Sequence, residues 1–244
     1  MPMQDRAIRT RRKILTAAAE VFETRGYQSA TISEVLKAAG VTKGALYFHF
    51  QSKEDLAQGV LHAQDQGITL PPRTSKTQEL VDVVMLHAHR LTTDPMVRAG
   101  VRLTMDQTSH GLDRTGPFHT WSHLAQQLLD AARTQGELLP HVDTHATADV
   151  LTGAFAGIQS MSHALTDYND LMQRTSTLLQ HILPSIINPS LITHLDLTPT
   201  RGTTVYTEVH TQYTHTHHDA DHNNGDNDND NDNDNDDTSN NNAA

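Results

Sequence analysis

The sequence predicts an all-α protein of about nine helices, in which an N-terminal helix-turn-helix head precedes a C-terminal helical body. Three observations lead there. Apolar residues recur at helical spacing through most of residues 1–200, and no stretch reads persuasively as a strand. A glycine-bearing reversal at residues 40–42 joins two short helical patterns. From about Thr211 the chain becomes His, Asn and Asp with almost no apolar residue, so it has little to bury against the entropy of ordering.

Taken in order, residues 5–25 form the first helix, with Ile8, Leu15, Ala18 and Phe22 on one face, Ile14 and Val21 beside them, and Arg9, Arg12 and Lys13 off that stripe. Gly26 and Tyr27 close it. Thr31 and Glu34 stand at capping-box spacing and start the next helix. Gly40, free to turn left-handed, ends that helix, and Thr42 offers its hydroxyl to cap a short third helix from Lys43. Val35, Leu36, Val41, Leu46, Phe48 and Phe50 are the apolar residues expected to hold these two helices at a fixed angle. Ser52 caps a fourth helix through Leu56 and Val60 to about Gln64.

Gly67, Pro71, Pro72 and Ser75 mark a boundary between two bodies. Helices then follow over about 77–93 and, after the cap-and-proline pair Asp94-Pro95, through Val97, Val101 and Met105. Gly111, Gly116 and Pro117 mark an exposed loop, followed by a helix carrying Phe118, Trp121, Leu124, Leu128 and Leu129 and ending at Gly136. Asp143 caps a helix through Leu151, Phe155, Ile158 and Met161, made small-sided by Gly153, Ala154, Ala156 and Gly157. The last long helix, about 169–187, is bent or ended by Pro184. The expected domains are 1–66 with the motif at 31–50, a body over 67–200, and a mostly disordered tail over 201–244.

The net charge of −11 misleads until it is divided. Ten of the 29 acids lie beyond Thr203, where there is no Lys or Arg, leaving 19 acids against 18 bases in the rest. Residues 1–60 hold nine bases and six acids, so positive charge gathers where the motif lies, as attraction to a phosphate backbone requires. Cysteine is absent, which excludes disulfides, zinc-thiolate sites and thiol catalysis and fits a reducing cytoplasm. No signal-peptide core or membrane-length apolar window is found, so no membrane partner is expected. Phosphate loops, His-Glu-x-x-His and Gly-x-Ser-x-Gly are missing, and His87 and His89, two apart on a helix, face different ways and make a poor metal pair. The chain reads as no enzyme and as needing no cofactor.

The short third helix has an unusual opening. Lys43 and Gly44 put a cation and bare backbone where helix amides already favour phosphate, and Tyr47 and His49 add polar tips a turn later. The string Val-Thr-Lys-Gly-Ala-Leu-Tyr-Phe-His-Phe at 41–50, followed by Ser52-Lys53-Glu54, resembles the DNA-binding region of the TetR family of repressors. Residues 98–107, 136–141, 155–159 and 181–184 are further similar to the γ-butyrolactone receptor branch of that family. The resemblance implies that Lys43 and Gly44 meet bases with help from Thr42. It also implies that Thr31, Tyr47, His49 and Lys53 hold phosphates of double-stranded operator DNA.

It implies further that Trp121, the only tryptophan, closes over a small lactone-type signalling ligand, with Gln64, Met85 and Gln159 as pocket candidates. Ordinary packing accounts for those three equally well. The two last long helices are expected to form a homodimer bundle, monomer core being the alternative, so that paired heads meet half-sites about 34 Å apart. Ligand packing near Gln64 at the end of the fourth helix is the expected lever. Two other readings stay open: a pseudo-receptor sensing an antibiotic or intermediate, and metal binding by the tail through His210, His215, His217, His218, His222, Asp219 and Asp221.

Overall fold

The computed structural model of the protein describes residues 2–64, 70–106, 112 and 114–222. Its described elements are α1 (Pro2–Ser29), α2 (Ile32–Ala39), α3 (Lys43–His49), α4 (Lys53–Ala63), α5 (Lys76–Thr93), α6 (Pro95–Met105), α7 (Thr115–Thr134), α8 (Thr144–Thr166), α9 (Leu171–Ile182), a 3-10 turn (Leu183–Ser185), α10 (Pro189–Ile192) and α11 (Arg201–His222). The fold is all-α, and among the described residues the sole β feature is a bridge between Leu138 and Ile187. The two helices beyond the expected nine are α10, a single turn, and α11.

Most boundaries follow the caps written in the sequence. Thr31 and Glu34 exchange both bonds of the capping box, at 3.2 and 2.9 Å. Gly40 closes α2 at φ 57°, and Thr42, Ser52, Ser75 and Asp143 each accept a backbone N–H of the following helix. Asp94 caps α6 with Pro95 at its start. Gly26, at φ 76°, breaks α1 near its end. Pro184 ends α9 in the 3-10 turn.

Three expectations need correction. Ile8 is exposed rather than on the buried stripe of α1, because that part of the helix extends beyond the head core. Gly116 and Pro117 are not loop residues but lie in the first turn of α7, where proline's missing N–H costs no helix hydrogen bond. The tail is not structureless from residue 201: α11 begins there and buries Val205 and Val209 beside Leu86. Apolar spacing alone conceals that helix, since among its described side chains the buried apolar ones are only two valines a turn apart.

Residues Met1–Val209 pack as one compact unit. Head and body are continuous because α6 serves both. Ala99 and Leu103 enter the head core with Ile14, Phe22, Leu46, Phe50 and Leu56, while Val97 and Val101 pack with Leu91 and Leu171 in the body. The helix at the centre of the body is α5, buried on nearly all sides. Its N-terminus is closed from a distance by the buried Glu137, which accepts from the Thr77 N–H and hydroxyl, each at 2.7 Å, and from the Lys76 N–H at 3.1 Å.

Candidate functional site

The exposed end of the head is α3. Leu46 and Phe50 fall on its inner side and are fully buried, which leaves Lys43, Gly44, Tyr47 and Phe48 outward. Phe48 departs from expectation. It is 79% exposed and contributes nothing to the contact between α2 and α3; its ring lies edge-on to His49 at 5.0 Å. A residue between Tyr47 and His49 on a seven-residue helix has to face outward once Leu46 and Phe50 face inward, a signal that its hydrophobicity masks.

Thr42 and Thr31 spend their hydroxyls on helix caps. Lys43 Nζ lies 5.8 Å from the Tyr47 ring centroid. A Cβ built on Gly44 would meet nothing within 4 Å, so no contact inside the protein calls for glycine there. Lys53 is tied back instead of reaching outward. Its Nζ donates to the Gln28 carbonyl at 3.1 Å and sits 4.7 Å from the Tyr27 ring centroid. Burial pulls its pKa below the usual lysine range, against the opposing pull of Glu34. Arg9, Arg12 and Lys13 line a shallow groove between α1 and the end of α2, and Arg11 lies over the Phe50 ring at 5.1 Å.

Behind the head, a cavity of about 80 Å³ lies inside the body, walled by α5, α6, α7, α8 and α9 with Gln64 at the end of α4. Trp121, Gln64 and Gln159 are on its wall, and the structure brings these three candidates together. Met85 is not. It is fully buried in the body core with Leu80, Val81, Leu129 and Leu179, on a face of α5 turned away from this cavity.

His87, two residues on, is the wall residue that sequence reasoning missed. Its ring stands 4.4 Å from Trp121 and 5.6 Å from Phe155. Burial, with Arg90 adding to it, pushes its pKa down to about 3, so the ring is neutral. The available signal is the facing difference between His87 and His89, which sends the two rings to different sides of α5; His89 lies 4.8 Å from the Tyr206 ring.

The cavity is mechanically close to the head. Val101, Thr104 and Met105 of α6 form part of its wall, while Arg98 and Arg102 on the same helix hold α1, Arg98 through Glu23 at 2.9 Å and Arg102 through the Glu23 carbonyl. Gln64 lies against α6 so closely that a Cβ on Gly100 would fall 2.1 Å from its Oε1.

On α8, Val150, Met161 and Leu165 are exposed, and Gly153 and Gly157 have open space where a Cβ would stand. These five positions follow one another at three- and four-residue steps and so share a face. No group of three or more metal-ligating side chains occurs among the described residues, and the tail side chains from His215 onward fall outside them. No described helix is long and apolar enough to cross a membrane.

Comparison with known proteins agrees with this geometry. Residues 14–60 match the model for bacterial regulatory proteins of the tetR family, and residues 74–188 match a tetracyclin repressor-like C-terminal domain. The A-factor receptor protein of Streptomyces griseus is 38% identical over 195 residues, which is 80% of this chain and 70% of that protein. The crystal structure of TylP, a TetR regulator from Streptomyces fradiae, superimposes with a TM-score of 0.78 at 43% identity, covering 84% of this chain and 99% of that one. A crystal structure of a γ-butyrolactone receptor (ArpA-like protein) gives a TM-score of 0.58 at 30% identity, covering 83% and 99%. The chain belongs to the TetR family of DNA-binding transcriptional regulators and, within it, is related to the γ-butyrolactone receptors.

Proposed function

We propose that this chain is a ligand-released repressor. As a homodimer it binds a palindromic operator through α3, and a small γ-butyrolactone-type signal filling the cavity lowers its operator affinity. Genes for antibiotics or other secondary metabolites are the proposed targets, by analogy with the receptors it resembles. The observation that carries this reading is the double role of α6: one side walls the cavity at Val101, Thr104 and Met105, and the other packs Ala99 and Leu103 into the core that holds α3.

In the reading head, Lys43 and Gly44 approach base edges with help from Thr42, while Thr31, Tyr47 and His49 position the helix on the backbone, and exposed Phe48 extends the same surface. Lys53 contributes through its positive charge and by fixing α4 to the end of α1. In the dimer, the apolar stripe of α8 with its open glycines packs against its symmetry mate, which places two heads on one DNA face. Ligand works as a switch only if it binds the DNA-incompetent arrangement better. Filling the cavity pushes on α6 and on Gln64 at the end of α4, and both helices pack on α1 in the head. The heads then leave half-site spacing. The reading agrees with the sequence expectation of α4 as lever and adds α6 to it.

Trp121→Ala tests this assignment. Operator affinity in a gel shift is expected to stay within about twofold of the parent, while the lactone concentration needed for release rises at least about tenfold, the effect of losing roughly 1.4 kcal/mol of ligand contact. Release at the parent's lactone concentration counts against the cavity as the ligand site.

A further inference from the structure

The cavity wall contains no Asp, Glu, Lys or Arg. Thr104 spends its hydroxyl on the Gly100 carbonyl at 2.9 Å. Three other polar atoms on the wall, Gln64 Oε1, His87 Nδ1 and Gln159 Oε1, have no hydrogen-bond partner in the protein, and each belongs to a side chain more than nine-tenths buried. The Gln64 oxygen is turned against Gly100 of α6. The wall also carries the Thr152 hydroxyl and the Trp121 indole N–H, so His87 and Gln159 are left as the buried side chains with unpartnered polar atoms in a mainly apolar cavity.

A buried polar atom without a partner is destabilising, and leucine or phenylalanine at position 87 would avoid that cost. His87 is also held in place, with its ring packed beside those of Trp121 and Phe155. A fixed imidazole has a use for a ligand, because its Nδ1 accepts from a hydroxyl in one tautomer and donates to a carbonyl in the other. An ionised ligand has the opposite problem. It would lose its hydration in an enclosure that supplies no countercharge. The nearby guanidinium of Arg90 is not on the wall and is already paired with Asp94 at 3.0 Å.

We propose that the cavity selects an uncharged, mainly apolar ligand, and that His87 sets this selectivity by exchanging a hydrogen bond with a hydroxyl or carbonyl of that ligand. The proposal rests on the reading of the cavity as the ligand site and goes further in naming the residue that reads the ligand and in excluding its charged, ring-opened form.

Three probes test it on the full chain: a γ-butyrolactone with a hydroxyl on its alkyl side chain, the same lactone lacking that hydroxyl, and the ring-opened hydroxycarboxylate of the first. Binding is measured by titration calorimetry, with Trp121 fluorescence as a second readout. The unsubstituted protein is expected to bind the hydroxylated lactone about tenfold more tightly than the deoxy lactone and at least a hundredfold more tightly than the ring-opened acid. His87→Phe is expected to abolish the hydroxyl preference while still binding the deoxy lactone, and His87→Asn to recover part of it.

Equal binding of lactone and ring-opened acid by the unsubstituted protein overturns the charge selectivity, and this comparison needs no variant. A hydroxyl preference retained in His87→Phe overturns the role of His87 and leaves the cavity's function intact. If neither lactone binds or changes Trp121 fluorescence, the ligand-site reading fails, and this inference fails with it.

Discussion

Gly44 and His87 are both locally unfavourable residues, and each points outward from the protein for its explanation. Glycine in the first turn of a helix forgoes the propensity of alanine, worth up to about 1 kcal/mol in a helix interior, yet a Cβ at Gly44 would meet nothing. Gly44→Ala is therefore expected to leave thermal stability unchanged or slightly raised while weakening operator binding at least about tenfold, because the methyl group obstructs approach to a base edge. A stability loss with unchanged operator affinity would reverse that assignment. For His87 the folded pKa, about 3, lies below the free value of 6.5. The unfolded chain takes up the proton first, so the contribution to stability is full above about pH 6.5 and is lost as pH falls toward 3. The slope is about 1.4 kcal/mol per pH unit. Between pH 6 and 4.5 the parent protein is expected to lose about 2 kcal/mol more than His87→Phe in denaturant titrations; parallel losses would show that His87 is not buried neutral.

The helices divide by how their ends and faces are specified. Those bounded by Thr31–Gly40, Thr42, Ser52, Asp94 and Asp143 were legible because each cap is a local device of three or four residues. The glycine break at Gly26 belongs with them. Phe48 misleads because its apolar character suggests burial on a helix too short to show a period. Met85 and His87 are not told apart by the sequence for a different reason: α5 is buried on nearly every side, so its pattern does not separate a core position from a cavity wall. The α11 helix was hidden because what docks it is largely ionic and long-range. Arg201 holds the fully buried Asp82 with two bonds of 2.7 Å, Arg73 adds one at 2.6 Å and Gln78 one at 2.8 Å, and Arg73 reaches on to Glu208. Gly202 lets the two backbones meet, since a Cβ there would fall 2.3 Å from the Met85 carbonyl oxygen. Burial pushes the Asp82 carboxyl up, but the bonds from Arg201, Gln78 and Arg73 outweigh it and hold it below the usual range. Asp82→Ala leaves two partly buried guanidiniums without this partner, and a loss of about 3–5 kcal/mol is expected. Amide exchange over residues 201–209 should rise with it; unchanged protection there would mean that Val205 and Val209 suffice to hold α11.

At the scale of the whole molecule, the body stores a cavity and the head presents a cationic helix tip, with α6 and the end of α4 between them. The sequence showed the helices and caps of the head, which are contiguous, but not the outward turn of Phe48 or the closing of its core by Ala99 and Leu103 of α6. The cavity was visible only through Trp121, Gln64 and Gln159, because its walls come from five helices and the residue that ends a sixth, whose approach no local pattern encodes. Among the described residues α8 exposes Val150, Met161 and Leu165, and the two-fold pairing proposed there would give the half-site geometry that one seven-residue helix lacks. The most direct measurement is the affinity of the full chain for a palindromic site selected from a random-sequence pool. It is taken against a scrambled duplex at moderate salt, with and without the hydroxylated γ-butyrolactone. The account predicts a preference of at least about 10³ for the palindrome that collapses when the lactone is added. Equal affinity for both duplexes, or a preference untouched by lactone that calorimetry shows to be bound, would contradict it.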